Sequence, residues 1–258
     1  MAKILVADSI AKEGISLLEK HHEVVVSTGL KEDALCEAIK DAEALVVRSQ
    51  TQVTEKVIAA APKLQIIARA GVGVDNVDVD AASKHGVIVV NAPFANTMST
   101  AEHAFGLMLA LARNIPQGHA SLQAGRWDRS KYTGLELNGK TLGVVGLGRI
   151  GTEFARRARA FEMRVVAFDP YVSDERMSAL GVERRSLEEL FAESDFVTLH
   201  TALQAETRSL VNADLLAKAK KGIRIINAAR GALIDEQALF DAVESGKVGG
   251  AGIDVFSS

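Results

Sequence analysis

The chain of 258 residues is 48% hydrophobic and 24% charged, a balance that excludes wholesale disorder. Its length exceeds one typical domain of about 100–200 residues, so two compact units are expected. A formal net charge of −3 with 5% aromatic residues offers neither a basic field for nucleic acid or anionic membrane nor many flat faces for stacking bases, and the partner expected is a small molecule.

No signal-peptide core precedes Asp8. β-Branched runs at 4–7, 24–27, 44–47, 66–70 and 87–90 read as strands, and 11–20, 31–39 and 55–60 carry apolar residues at helical spacing. That alternation predicts a parallel sheet with helices on both faces. The single cysteine, Cys36, permits no internal disulfide and no thiolate cluster, which fits a reducing, cytoplasmic setting. Around Asn91, Ala92 and Pro93 the rhythm changes, and Pro93 and Asn96 mark a hinge. A helix over 100–113 follows, and its apolar run at 104–112 is too short to span a bilayer. Strands at 140–145, 164–168, 196–199, 223–227 and 251–255 form a second α/β series. The expected map is a first unit over 1–94 and a second over 95–258.

Gly146-Leu147-Gly148-Arg149-Ile150-Gly151 closes one predicted strand and opens a helix running to about residue 161. Glycines at 146, 148 and 151 suit a tight turn, close backbone approach to a pyrophosphate and close helix–strand packing, while the helix N-terminus faces the anion. The next strand ends in Asp169, at about the 20-residue spacing expected of the ribose-binding acid. A carboxylate there accepts from ribose hydroxyls and repels a 2′-phosphate, which favours NAD over NADP. Without its context, the same turn would be only a glycine-rich connection.

Arg230, in Asn227-Ala228-Ala229-Arg230-Gly231, follows a predicted strand at the carboxyl edge where open α/β sheets bind ligands. Its planar fork suits a 2-hydroxy carboxylate, although position alone equally allows a solvated surface arginine. Arg48 and Arg69 end two predicted strands of the first unit and either clamp a second anion such as a phosphate or serve as ordinary ion-pair partners. The histidines supply no convincing general acid. His200 ends a strand, His103 reads as a packed or capping neighbour of Glu102, and His21, His22, His85 and His119 sit in polar segments. None has the i, i+4 partner of a zinc helix, so no metal is expected.

Ordered stretches now point to a family. They are Val46-Val47-Arg48-Ser49, Ala-Arg-Ala-Gly-Val-Gly-Val-Asp-Asn-Val-Asp at 68–78, Asn91-Ala92-Pro93 with Ser-Thr-Ala-Glu-His at 99–103, Leu-Asn-Gly-Lys-Thr-Leu-Gly at 137–143, the glycine turn, 227–231 and Gly-Ile-Asp-Val-Phe at 252–256. With these the chain resembles the D-isomer-specific 2-hydroxyacid dehydrogenases over its whole length, most closely members that act on D-3-phosphoglycerate. The resemblance implies an α/β architecture: a doubly wound Rossmann NAD-binding domain over 95–258, and a smaller flavodoxin-like substrate domain whose first part is 1–94. It implies oxidation of D-3-phosphoglycerate to 3-phosphohydroxypyruvate with NAD, opening L-serine biosynthesis, by a homodimer or homotetramer.

Residue by residue, the resemblance places Arg149 and Ile150 at the pyrophosphate, Asp169 at the adenosine ribose, and Val72, Thr201, Ala228, Ala229 and Asp254 along the cofactor, Asp254 near the nicotinamide amide. Arg230 becomes the catalytic arginine that binds carboxylate and polarises the carbonyl, with Arg48 and Arg69 toward the substrate phosphate. Arg129 or Lys131 would reach a neighbouring subunit's phosphate site. Milder departures from the family pattern are Ala232 and Ala202, which replace a common glycine and proline. The family's Glu-Pro and later Pro-His, which carry the acid–base pair, are not found within the 258 residues, so the chain as given is expected to turn over poorly. A glyoxylate or hydroxypyruvate reductase, and a non-catalytic NAD-sensing binding module, are the alternatives.

Overall fold

Strands and helices alternate through residues 1–257, which the computed structural model describes. Contacts divide the chain into two units, Met1–Asn96 and a second that begins at Thr97. In the first, β1 (Lys3–Val6), β2 (Glu23–Val26), β3 (Ala44–Val47), β4 (Ile66–Arg69) and β5 (Ile88–Asn91) are parallel and lie in the order β2-β1-β3-β4-β5. That is the flavodoxin-like order. Helices α1 (Lys12–Glu19), α2 (Glu32–Ala38), α3 (Glu55–Ala59) and α4 (Val79–Lys84) make the crossovers.

Leu5, Leu45 and Ile67 sit at the middles of the central strands and are fully buried with Leu35, Ile39, Val57 and Ile58 on one face. On the other face Ile4, Val6 and Val46 form a smaller cluster against which Leu18 packs. The two faces are therefore covered unequally, and α1 buries no residue completely. The short helix α4 escapes the periodicity reading because it spans under two turns, yet the Asp78 carboxylate caps it by accepting from Ala81 N at 2.9 Å.

The second unit opens with α5 (Thr97–Arg113) and α6 (Ile115–Gln123), followed by β6 (Thr141–Val145), α7 (Arg149–Ala160), β7 (Arg164–Phe168), α8 (Asp174–Ala179), β8 (Glu183–Arg184), α9 (Leu187–Glu193), β9 (Phe196–Leu199), α10 (Ala213–Lys218), β10 (Ile223–Asn227), α11 (Glu236–Glu244) and β11 (Val248–Ile253). The six strands are parallel in the order β11-β10-β9-β6-β7-β8. Counted within the unit from the β8 edge, this is 3-2-1-4-5-6, the doubly wound dinucleotide-binding order with its switch point between β6 and β9.

Here both faces are covered. Phe105, Met108, Phe154 and Ala158 close one side, and Leu190, Phe191, Leu215 and Leu239 the other. Two boundaries depart from the sequence reading. Helix α5 begins at Thr97, directly after the expected hinge and three residues before the expected start at 100, and β11 begins at Val248 rather than 251, because Gly249 and Gly250 read as turn residues although both lie in the strand, Gly250 pairing with Arg224 after a register shift that skips Gly249. Among the described residues no helix is long and apolar enough to cross a membrane.

Candidate functional site

The strand register places the candidates of the second unit. Phe168 pairs with Val145, Val145 with Leu199, Leu199 with Asn227 and Asn227 with Ile253, so one straight row crosses β7, β6, β9, β10 and β11. The next residues along each strand are Asp169, Gly146, His200, Ala228 and Asp254. Four inter-strand steps of about 4.8 Å make this carboxyl edge roughly 19 Å long, a length that suits an extended dinucleotide lying across the switch point.

Second in the row, beside His200, Gly146 has φ +91°, a left-handed conformation that favours glycine, and a Cβ on it would press at 2.9 Å on the His200 carbonyl and the Thr201 nitrogen. On Gly151 a Cβ would overlap the Gly146 carbonyl oxygen, so this glycine lets α7 pack against the turn. Around Gly148 nothing lies within 4 Å of a Cβ position, and no side chain caps the helix there. Arg149 and Ile150 form the first turn of α7. An open glycine at an uncapped helix N-terminus is what a pyrophosphate requires. Asp169 is 8% exposed and fixed at both oxygens, accepting from Leu147 N and Tyr171 N at 2.8 Å each. Each carboxylate oxygen keeps a further lone pair for a hydroxyl donor.

The loop after β10 is held by Asn227, which is fully buried. Its Nδ2 donates to Arg230 O at 2.9 Å and its Oδ1 accepts from Ala229 N at 3.0 Å, which fixes the backbone on both sides of the half-buried Arg230. A Cβ on Gly231 would overlap the backbone at Phe256 and Ser257, so the chain after β11 crosses directly over this loop. Asp254 donates its N–H to Asn227 O at 3.0 Å, and its Oδ1 lies 3.0 Å from His103 Nε2.

One histidine, His103, differs from its sequence reading, and His200 takes the structural role that a strand-end histidine suggests. His103 is not a capping neighbour of Glu102, which pairs instead with Arg157 at 3.1 Å; His103 is half-exposed and bonded to Asp254. His200 packs its ring on Phe154 with centroids 5.2 Å apart, and its Nε2 lies 2.9 Å from Thr198 Oγ1. Burial pushes its imidazole down to about 3. It is neutral near pH 7.

In the first unit, Arg48 follows β3 and Arg69 ends the neighbouring β4. The loop bearing Arg48 is pinned by the buried Asp8, which accepts from Arg48 N at 2.6 Å and Thr51 Oγ1 at 2.7 Å, and by Asn76 Nδ2, which donates to Arg48 O at 2.8 Å. Burial alone raises the Asp8 carboxyl, but the bonds from Thr51, Arg48 and Gln50 outweigh it and hold it below the usual range. Arg69 folds back over Gly71, and Val72 O accepts from Asn91 Nδ2 at 2.7 Å. Asp8, Asn76, Asn227 and His103 are the residues that sequence reasoning missed.

Residues 105–258 match the family described as D-isomer specific 2-hydroxyacid dehydrogenase, NAD binding domain. The chain is 52% identical over 257 residues to a D-3-phosphoglycerate dehydrogenase of Methanocaldococcus jannaschii and 48% identical over 257 residues to one of Bacillus subtilis, covering 99% of this chain and 49% of the relative in each case. It thus spans about half the length of the curated relatives it matches. Among solved structures it is similar to a glyoxylate reductase from Paecilomyes thermophila, with TM-score 0.91, 34% identity and coverage of 100% of this chain and 82% of that one. It is also similar to the Aquifex aeolicus D-lactate dehydrogenase complexed with NAD and lactic acid, with TM-score 0.89, 30% identity and coverage of 98% and 77%.

Proposed function

Because the chain belongs to the D-isomer-specific 2-hydroxyacid dehydrogenase family, whose NAD-binding domain it contains, we propose that it carries the cofactor-binding and carboxylate-binding parts of an enzyme that oxidises D-3-phosphoglycerate to 3-phosphohydroxypyruvate. The observation that carries this reading is the row of strand ends from Asp169 to Asp254, with Arg230 braced beside it by Asn227. The names of relatives at about half identity support the phosphorylated substrate. We extend the reading to a cytoplasmic homodimer or homotetramer that opens L-serine biosynthesis, with Arg129 or Lys131 serving a neighbouring subunit.

NAD, when bound, supplies the hydride chemistry. In this reading Gly146, Gly148 and Gly151 shape the turn, Arg149 and Ile150 meet the pyrophosphate, and Asp169 accepts from the adenosine ribose. Val72, Thr201, Ala228 and Ala229 line the cofactor, and Asp254 accepts from the nicotinamide amide. The Arg230 fork holds the substrate carboxylate and favours negative charge on the adjacent oxygen. Arg48 and Arg69 take the phosphate. Neither His200, which is neutral and turned to Thr198, nor His103, which is engaged by Asp254, is placed to take the hydroxyl proton. Loss of such a group costs about 100- to 10,000-fold in rate, so the 258-residue chain by itself turns over slowly.

Initial rates of NADH oxidation with 3-phosphohydroxypyruvate, by this chain and by Arg230→Gln, test the reading. The expected result is slow turnover, faster with the phosphorylated than with the unphosphorylated keto acid, and lowered about 100-fold further by Arg230→Gln. Turnover in the ordinary enzyme range of about 1–1,000 per second would overturn the claim about the proton. Equal rates with the two keto acids would favour a reductase of unphosphorylated acids.

A further inference from the structure

Helix α5 lies across β11 in a register set by alternate glycines. A Cβ on Gly250 would approach Leu111 Cδ1 at 2.9 Å, and one on Gly252 would approach Leu107 Cβ at 3.4 Å. One more step along the same line puts His103 Nε2 at 3.0 Å from Asp254 Oδ1. Residues 111, 107 and 103 of the helix therefore meet 250, 252 and 254 of the strand, in antiparallel sense. The match is physical: four helical residues rise about 6.0 Å and two strand residues about 6.6 Å, so the two stripes stay in step over this distance. Glycines at 250 and 252 let the helix come close, and the pair Glu102–Arg157 at 3.1 Å ties the same turn of α5 to α7. His103 is thus delivered to Asp254 by packing rather than by a local turn.

We propose that His103 is a positioning residue for the cofactor, holding Asp254 Oδ1 so that the second carboxylate oxygen is aimed to accept from a carboxamide. The proposal rests on the reading that Asp254 meets the nicotinamide amide. Its consequence is selective: affinity for a dinucleotide that carries nicotinamide depends on His103, whereas affinity for ADP-ribose, which has the same adenosine and pyrophosphate but no nicotinamide, does not. A purely structural histidine would change both together.

The test is equilibrium binding of NADH by fluorescence, and of ADP-ribose by competition, to the 258-residue chain and to H103A, H103Q and D254A. His103→Ala is expected to weaken NADH about tenfold, the size of one hydrogen bond to a charged group, with ADP-ribose unchanged. His103→Gln, which offers an N–H donor from a side chain of similar reach, is expected to return NADH to within about threefold of the parent. If D254A weakens NADH alone but H103A weakens both ligands or neither, the role of His103 is overturned while the reading of Asp254 stands. If D254A leaves the ratio of the two affinities unchanged, the reading of Asp254 falls and takes the role of His103 with it.

Discussion

His200 shows how one side chain can lie on the carboxyl row and yet be withheld from proton chemistry. Its N–H donates to Val145 O at 2.8 Å, which continues the sheet for one residue and turns the ring toward Phe154 and Thr198. A charged imidazole there would lose hydration without gaining a carboxylate, and its pKa accordingly falls to about 3. The unfolded chain takes up this proton near pH 6.5, whereas the folded chain resists until about 3. Between those values the unfolded state binds more protons, so stability rises with pH and is fully present only above about 6.5. Lowering the pH from 7.5 to 5.5 is expected to cost about 1 kcal/mol through this group alone. Urea midpoints at the two pH values, for the parent and for His200→Gln, measure the effect. An equal loss in both proteins would remove His200 as its source.

The connection from β6 to α7 separates two roles that the glycine motif combines. On Gly151 an added methyl meets the Gly146 backbone, which cannot swing aside, whereas on Gly148 it meets open space. Gly151→Ala is therefore expected to cost about 3 kcal/mol of stability by overpacking. Gly148→Ala, at an N-cap, should cost no more than about 1 kcal/mol. In the proposed reading the same Gly148 methyl projects where a pyrophosphate would approach, so NADH affinity should fall about tenfold or more, equivalent to about 1.4 kcal/mol. Denaturant melts and NADH titrations of the two variants check this, and equal destabilisation would defeat it.

This connection was legible in the sequence because every cue is local: a buried apolar strand, a turn that needs glycine, and an amphipathic helix. Asp169 and Arg230 were marked for the same reason, each following a readable strand. Strand β11 was mislocated because the glycines that admit Leu107 and Leu111 also erase the β-branched pattern. His103 was misread because its partner lies 151 residues away, and Asp8 was missed because it braces Arg48 and Thr51 from 40 and 43 residues away. Such pairings follow from sheet order, which local periodicity does not encode.

At the scale of the whole molecule, each hydrophobic cluster draws its members from one unit only. Leu5, Leu45 and Ile67 belong to the first unit, while Phe105, Phe154 and Phe196 on one face and Phe191, Ile225 and Leu239 on the other belong to the second. Burial is cooperative within such clusters, so the two sheets are expected to open as separate units in native-state hydrogen exchange. NADH held at 100 times its dissociation constant stabilises whichever unit binds it by about 2.7 kcal/mol. Amides of β6, β9 and β10 should then exchange about 100-fold more slowly, while those of β1, β3 and β4 keep their rates. Phe154→Ala, which removes a wholly buried ring packed on Phe105 of α5 and on His200, should cost about 3–5 kcal/mol and speed exchange in the second sheet alone. Uniform slowing of both sheets by NADH, or uniform quickening by Phe154→Ala, would show instead that the two cores unfold as one.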